Sequence, residues 1–102
     1  MTTQDESNTE KARIHVLVSG RVQGVGFRAY VQQAGTALGL GGWVRNVGYD
    51  KVESVAEGPR NQLEAFIEAV RTGPRGARVD EMQTEWEMVL NEFNRFDVRS
   101  SR

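Results

Sequence analysis

Ile14, Val16 and Val18 alternate with His15, Leu17 and Ser19, the period of two that sends every second side chain to one face of a strand. Gly20 to Gly26 breaks that alternation. Phe27, Tyr30, Val31, Ala34 and Leu38 then recur at three- and four-residue steps, which draws one apolar stripe along a helix. Gly39, Gly41 and Gly42 end it, and Gly42 to Asn46 and Val52 to Glu57 predict two short strands joined by a turn over Val47 to Lys51. Gly58-Pro59 opens a second helix, Pro59 suiting the first helical position, with Leu63, Phe66, Ile67 and Val70 as its stripe and Gly73-Pro74 as its stop. Met82, Thr84, Trp86 and Met88 alternate with acids, which predicts a strand with one buried face; a short last strand is expected around Phe93 to Arg99.

The order β-α-β-β-α-β plus a short C-terminal strand predicts the α+β class. Its simplest form is a ferredoxin-like two-layer sandwich, an antiparallel sheet with two helices on one face. Right-handed crossovers set the strand order 4-1-3-2. The first and second strands then run the same way with one strand between them. Their C-terminal ends, Gly20 and Asn46, emerge at one edge of the sheet, ~10 Å apart at the backbone. A loop and a side chain at that edge can share a ligand.

Composition narrows the class. One hundred and two residues make about one domain. The expected organisation is a polar, flexible tail over 1–12 and a domain over 13–102. The start carries no apolar signal stretch, no apolar run approaches the roughly 20 residues that span a bilayer, and no membrane partner is expected. With no cysteine, a reducing cytoplasm is the expected location. A monomer is the expected state. A net charge of −1 argues against a general nucleic-acid binder. An RNA-binding sheet would want aromatics on the first and third strands, and Ile14 to Val18 and Val52 to Ala56 have none. The charge is uneven, however. Lys11, Arg13, Arg21, Arg28 and Arg45 face no Asp or Glu between residues 11 and 49, so the glycine-rich half is electropositive.

The chemistry concentrates in Val18-Ser19-Gly20-Arg21-Val22-Gln23-Gly24-Val25-Gly26-Phe27-Arg28. Gly24 and Gly26 permit positive φ and close backbone approach. The helix starting near Phe27 points free N–H groups back into the loop, and Arg28 in its first turn can turn a planar fork onto two oxygens of one anion. A cation at the positive end of a helix is poor electrostatics without a negative partner, which a bound phosphate supplies. The plainer reading is a tight connection with a solvated arginine. Asn46 is the second element: either a turn-former bonded to nearby backbone, or a carboxamide aimed at the loop's ligand, able to orient a water but too weak a base to take its proton. Gly24 to Ala29 also fits the dinucleotide fingerprint G-x-G-x-x-A, but no acid follows near Asn46 to Tyr49 and the chain is too short for a doubly wound fold. His15, the single histidine, reads as structural or surface-facing, and with no cysteine a metal site of familiar composition is not expected. Arg21 and Arg45 read equally as anion-steering or solubilising charges.

Val18 to Arg28 resembles the first signature of the acylphosphatase family, and Gly42-Trp43-Val44-Arg45-Asn46 with Val52 and Gly58 resembles its second. The resemblance runs from about Arg13 to Arg99. It implies hydrolysis of the carboxyl-phosphate bond of acyl phosphates without metal or cofactor, with inorganic phosphate as product and competitive inhibitor. It puts the phosphate-binding arginine on Arg28, the water-orienting asparagine on Asn46, and the phosphate cradle on the backbone of Gln23, Gly24, Val25, Gly26, Phe27 and Arg28. A non-catalytic anion-sensing module on the same fold is the alternative. One departure stands out: Asp50 occupies a position where the second signature expects glycine, which leaves the shape of that turn to be determined.

Overall fold

The computed structural model describes residues 8–102, so residues 1–7 of the expected tail lie outside the described residues. The chain forms β1 (Lys11–Arg21), α1 (Phe27–Ala37), β2 (Gly41–Val47), β3 (Lys51–Pro59), α2 (Arg60–Thr72), β4 (Arg78–Glu87) and β5 (Phe96–Val98). β1 already begins at Lys11, inside the segment expected as tail. The sheet runs β4-β1-β3-β2-β5, the order the crossover rule requires with one strand added.

That added strand corrects the expected all-antiparallel sheet. β1, β2, β3 and β4 pair antiparallel, but β5 pairs parallel with β2, Gly42 opposite Phe96 and Val44 opposite Val98. The chain leaving β4 crosses the outer face of the sheet, where Glu57 holds the N–H groups of Leu90 and Asn91, and re-enters beside β2 running in its direction. A crossing segment, unlike a hairpin, permits parallel pairing.

Alternation sorts the strands into two faces. Ile14, Val16 and Val18 on β1, Val44 on β2 and Val52 and Ala56 on β3 are buried toward the helices. α1 meets them with Phe27 and Val31, and α2 with Leu63, Phe66 and Val70. Phe66 packs on Phe96 with ring centroids 5.6 Å apart, and Tyr30 Oη donates to the Ala69 carbonyl at 2.8 Å, tying the two helices together.

Two further expectations need correction. Pro59 is not the first helical residue: at φ −59° and ψ 138° it is extended, held in the ladder opposite Lys11, and α2 starts at Arg60. β4 has no continuous buried face. Met82 packs against the core, but Trp86 is 38% exposed, with the Arg60 guanidinium 4.0 Å from its ring, and Met88 lies beyond the strand and is 82% exposed. β4 is an edge strand that runs out from under the helices, so its apolar alternation has little to pack against.

Candidate active site

β1 leads into the loop through a bulge. Its pairing with β4 shifts register between Ser19 and Gly20. Gly20 sits at φ 130°, where an added Cβ would meet the Arg78 carbonyl oxygen at 2.4 Å, so only glycine fits. Its N–H donates to the Asp50 carbonyl at 3.1 Å, the first tie between loop and β2–β3 turn. Gln23 makes the second: its Nε2 donates to the carbonyls of Lys51 at 2.9 Å, Gly48 at 3.1 Å and Val47 at 3.4 Å.

Gly24 and Gly26 take left-handed φ of 75° and 77° with open space where a Cβ would stand. Gly26 caps α1 without a side-chain bond, and no acid occupies the first turn. The N–H groups there have no intrahelical acceptor, and no acidic side chain of the first turn offsets the positive end of the helix.

That helix end opens on a cavity of about 320 Å³ lined by Gln23, Gly24, Gly26, Phe27, Arg28 and Asn46, with Val22, Ala29 and Val98 completing the wall. Arg28 is half-buried, and among the described residues no carboxylate pairs with it. Asn46 stands opposite Val52, on the helix side of β2. Its backbone carbonyl accepts the Arg102 N–H at 2.8 Å, while its carboxamide bonds to no protein group among the described residues. Arg28, the uncapped start of α1 and Asn46 thus border one volume. The arrangement suits a tetrahedral oxyanion and a water beside it.

Other candidates fall elsewhere. The Val25 side chain packs against the core and does not line the cavity. Arg21 is exposed and also stands outside the lining. Arg45 is on the opposite face of the sheet, bonded to Glu53 at 2.7 Å with its guanidinium 4.8 Å from the Trp43 ring. His15 shares that face, its Nε2 2.7 Å from Glu53. Burial opposes ionisation of Glu53, but the bonds from His15 and Arg45 outweigh it and hold its carboxyl below the usual range. His15, Glu85 and Glu87 gather their ligand atoms within 4.8 Å on this outer face, with Glu87 already bonded to Arg13 at 3.1 Å. A larger cavity of about 380 Å³ lies at the other end of β2, between Lys11, Leu40, Glu57 and Phe93. Its charged residues are already matched, Glu57 with Arg13 and Lys11 with Asn91.

The sequence profile described as Acylphosphatase matches residues 14–98. The chain belongs to the acylphosphatase family. It is 45% identical over 94 residues to an acylphosphatase of Salinibacter ruber, spanning 92% of this chain and 98% of that one. Among solved structures, an acylphosphatase from Coxiella burnetii is 40% identical with a TM-score of 0.83, covering 96% of this chain and 100% of the other. One from Bacillus subtilis is 39% identical with a TM-score of 0.83, covering 86% and 98%. At the departure, Asp50 does not take a positive φ; the left-handed position of the turn falls on Gly48, φ 61°. No helix among the described residues is long and apolar enough to cross a membrane.

Sequence reasoning missed two parts of this site. Val98 reaches the cavity because β5 runs parallel beside β2, and three residues carry no periodic signal. The grip of Gln23 on three turn carbonyls depends on where those carbonyls point in space, and residue type does not encode that.

Proposed function

We propose that this protein hydrolyses the carboxyl-phosphate bond of acyl phosphates to a carboxylate and inorganic phosphate, with Arg28 and the 23–28 loop amides binding the phosphate and Asn46 orienting the water. One observation carries the residue assignment: Arg28 and Asn46 line one cavity, and neither side chain has a partner in the protein among the described residues. Two polar groups left free at the same spot are matched by a ligand with complementary oxygens.

An acyl phosphate is a mixed anhydride with a good leaving group, so no protein nucleophile is needed. The water oxygen bonds to phosphorus as the phosphorus–oxygen bond to the carboxyl group breaks, and the electron pair leaves on the carboxylate. One water proton moves to a phosphate oxygen, since Asn46 cannot accept it. Arg28 and the loop N–H groups meet the phosphate oxygens and hold them as charge redistributes in the transition state. Asn46 fixes the angle of attack.

The test is hydrolysis of a model acyl phosphate such as benzoyl phosphate by the wild-type chain and by Asn46→Ala and Arg28→Ala. Turnover by the wild type, its collapse in both variants, and competitive inhibition by phosphate are expected. Wild-type turnover in Asn46→Ala would show the water to be held by something else. Binding of phosphate with no hydrolysis by the wild type would leave an anion sensor.

A further inference from the structure

Hydrolysis needs two things aligned: a phosphate held by the loop after β1, and a water held at the end of β2. These belong to different elements, with β3 between their strands. We infer that the Gln23 side chain is a positioning residue that locks the phosphate loop to the β2–β3 turn and so fixes the phosphate relative to Asn46. This rests on the function proposed above and assigns Gln23 a role distinct from that of its backbone in the cradle.

The geometry is specific. One primary amide carries two N–H bonds, and here it faces three carbonyls, those of Lys51, Gly48 and Val47, at 2.9, 3.1 and 3.4 Å. Val47 and Lys51 are the last ladder pair of β2 and β3, and Gly48 opens the turn between them. The Gln23 amide therefore fills the mouth of the turn that begins at Gly48, one residue beyond the Asn46–Val47 pair. A displaced turn drags Asn46 with it. On the other side, Gln23 lines the cavity next to Gly24, so a displaced loop drags the phosphate.

A second tie between the same two regions, Gly20 N–H to the Asp50 carbonyl at 3.1 Å, sits further back, at the end of the sheet. It keeps the loop attached when Gln23 is removed but leaves the cavity end free to swing. Loss of the Gln23 amide should then spare folding and phosphate binding while spoiling the attack geometry, where a 1 Å error costs about 100-fold. A residue with a purely structural role would lower stability and affect binding and turnover without regard to Asn46.

The experiment is Gln23→Met, which keeps the length and removes the donor, assayed on benzoyl phosphate in the wild-type and Asn46→Ala backgrounds. In the wild-type background kcat should fall by roughly 10- to 100-fold with the phosphate inhibition constant nearly unchanged. In the Asn46→Ala background the same substitution should change the residual rate by less than about two-fold, because there is no positioned water left to misalign. If Gln23→Met fails to fold in a thermal melt, Gln23→Asn, whose amide stops one carbon short, carries the same expectations. An active wild type with Gln23→Met at wild-type kcat overturns the inference and leaves the proposed function standing. Equal fold-losses in both backgrounds also overturn it. A wild type that does not hydrolyse benzoyl phosphate at all overturns the function, and the inference with it.

Discussion

The Arg13 guanidinium and the Glu57 carboxylate meet at 3.0 Å, directly opposite each other in the β1–β3 ladder and on the sheet face away from the helices. Both are buried, at 8% and 3% exposure. Glu57 accepts the N–H groups of Leu90 at 2.7 Å and Asn91 at 3.1 Å. Arg13 reaches Glu92 at 2.7 Å and lies 5.3 Å from the centre of the Phe93 ring. The pair is thus the seat of the crossing segment that delivers β5, and with it Val98, to the cavity.

Removing Glu57 leaves Arg13 its bonds to Glu87 and Glu92 but takes the acceptor from two backbone N–H groups. Glu57→Ala should cost about 2–4 kcal/mol, chiefly from those two stranded N–H groups. Replacing both residues with methionine should recover part of that loss. Urea unfolding of the two variants checks both statements. A single-variant cost under about 1 kcal/mol would mean that water or Glu92 replaces the pair.

The same carboxylate makes stability depend on pH. Burial raises the Glu57 pKa, but the bonds from the Leu90 N–H and Arg13 outweigh it, so the folded value lies below the ordinary one. A depressed folded pKa means that the stabilisation is complete above the unfolded value, about 4.3, and is lost as pH falls through the lower folded value. Glu53 acts in the same direction. Thermal midpoints should hold above roughly pH 5 and fall below pH 4, and Glu57→Gln should flatten that decline. An unchanged acid limb in the variant would remove Glu57 as a source.

The strand order and the start of α1 at Phe27 were legible because they rest on local periodicity and one handedness rule. From these it followed that the loop and Asn46 lie at one sheet edge. Burial of β4 was not legible. Met82, Thr84 and Trp86 alternate properly, but whether a face is covered depends on how far the helices extend, which no window of β4 contains. The parallel seat of β5 was hidden for a related reason: it depends on Arg13 and Glu57, distant residues whose charges look like ordinary surface charges in sequence.

Gly48 and Asp50 should each lose stability on exchange, for different reasons. Gly48 has φ 61° and open space around it, so Gly48→Ala meets no clash and should cost about 1–2 kcal/mol of backbone strain alone. Asp50 keeps negative φ, so Asp50→Gly, which restores the family residue, gains no relief. It should instead destabilise by up to about 1 kcal/mol through the freer unfolded chain. Thermal melts of the two variants decide this; a stabilised Asp50→Gly would place the strain in the turn at residue 50.

Arg28→Lys separates charge from shape at the cavity. Lysine keeps the positive charge but offers a point donor in place of a planar fork, and its more strongly held hydration shell must be shed on binding. If the fork meets two phosphate oxygens, the substitution should weaken phosphate binding by about ten-fold or more, which is about 1.4 kcal/mol. The readout is protection against thermal unfolding. Phosphate at 100 times its dissociation constant should stabilise the wild type by about 2.7 kcal/mol, and the variant at the same concentration by about half of that. Loss of protection in Arg28→Lys with an unchanged melt in phosphate-free buffer locates the defect in binding. Equal protection of both proteins would mean that the loop amides and helix end hold the anion without a fork.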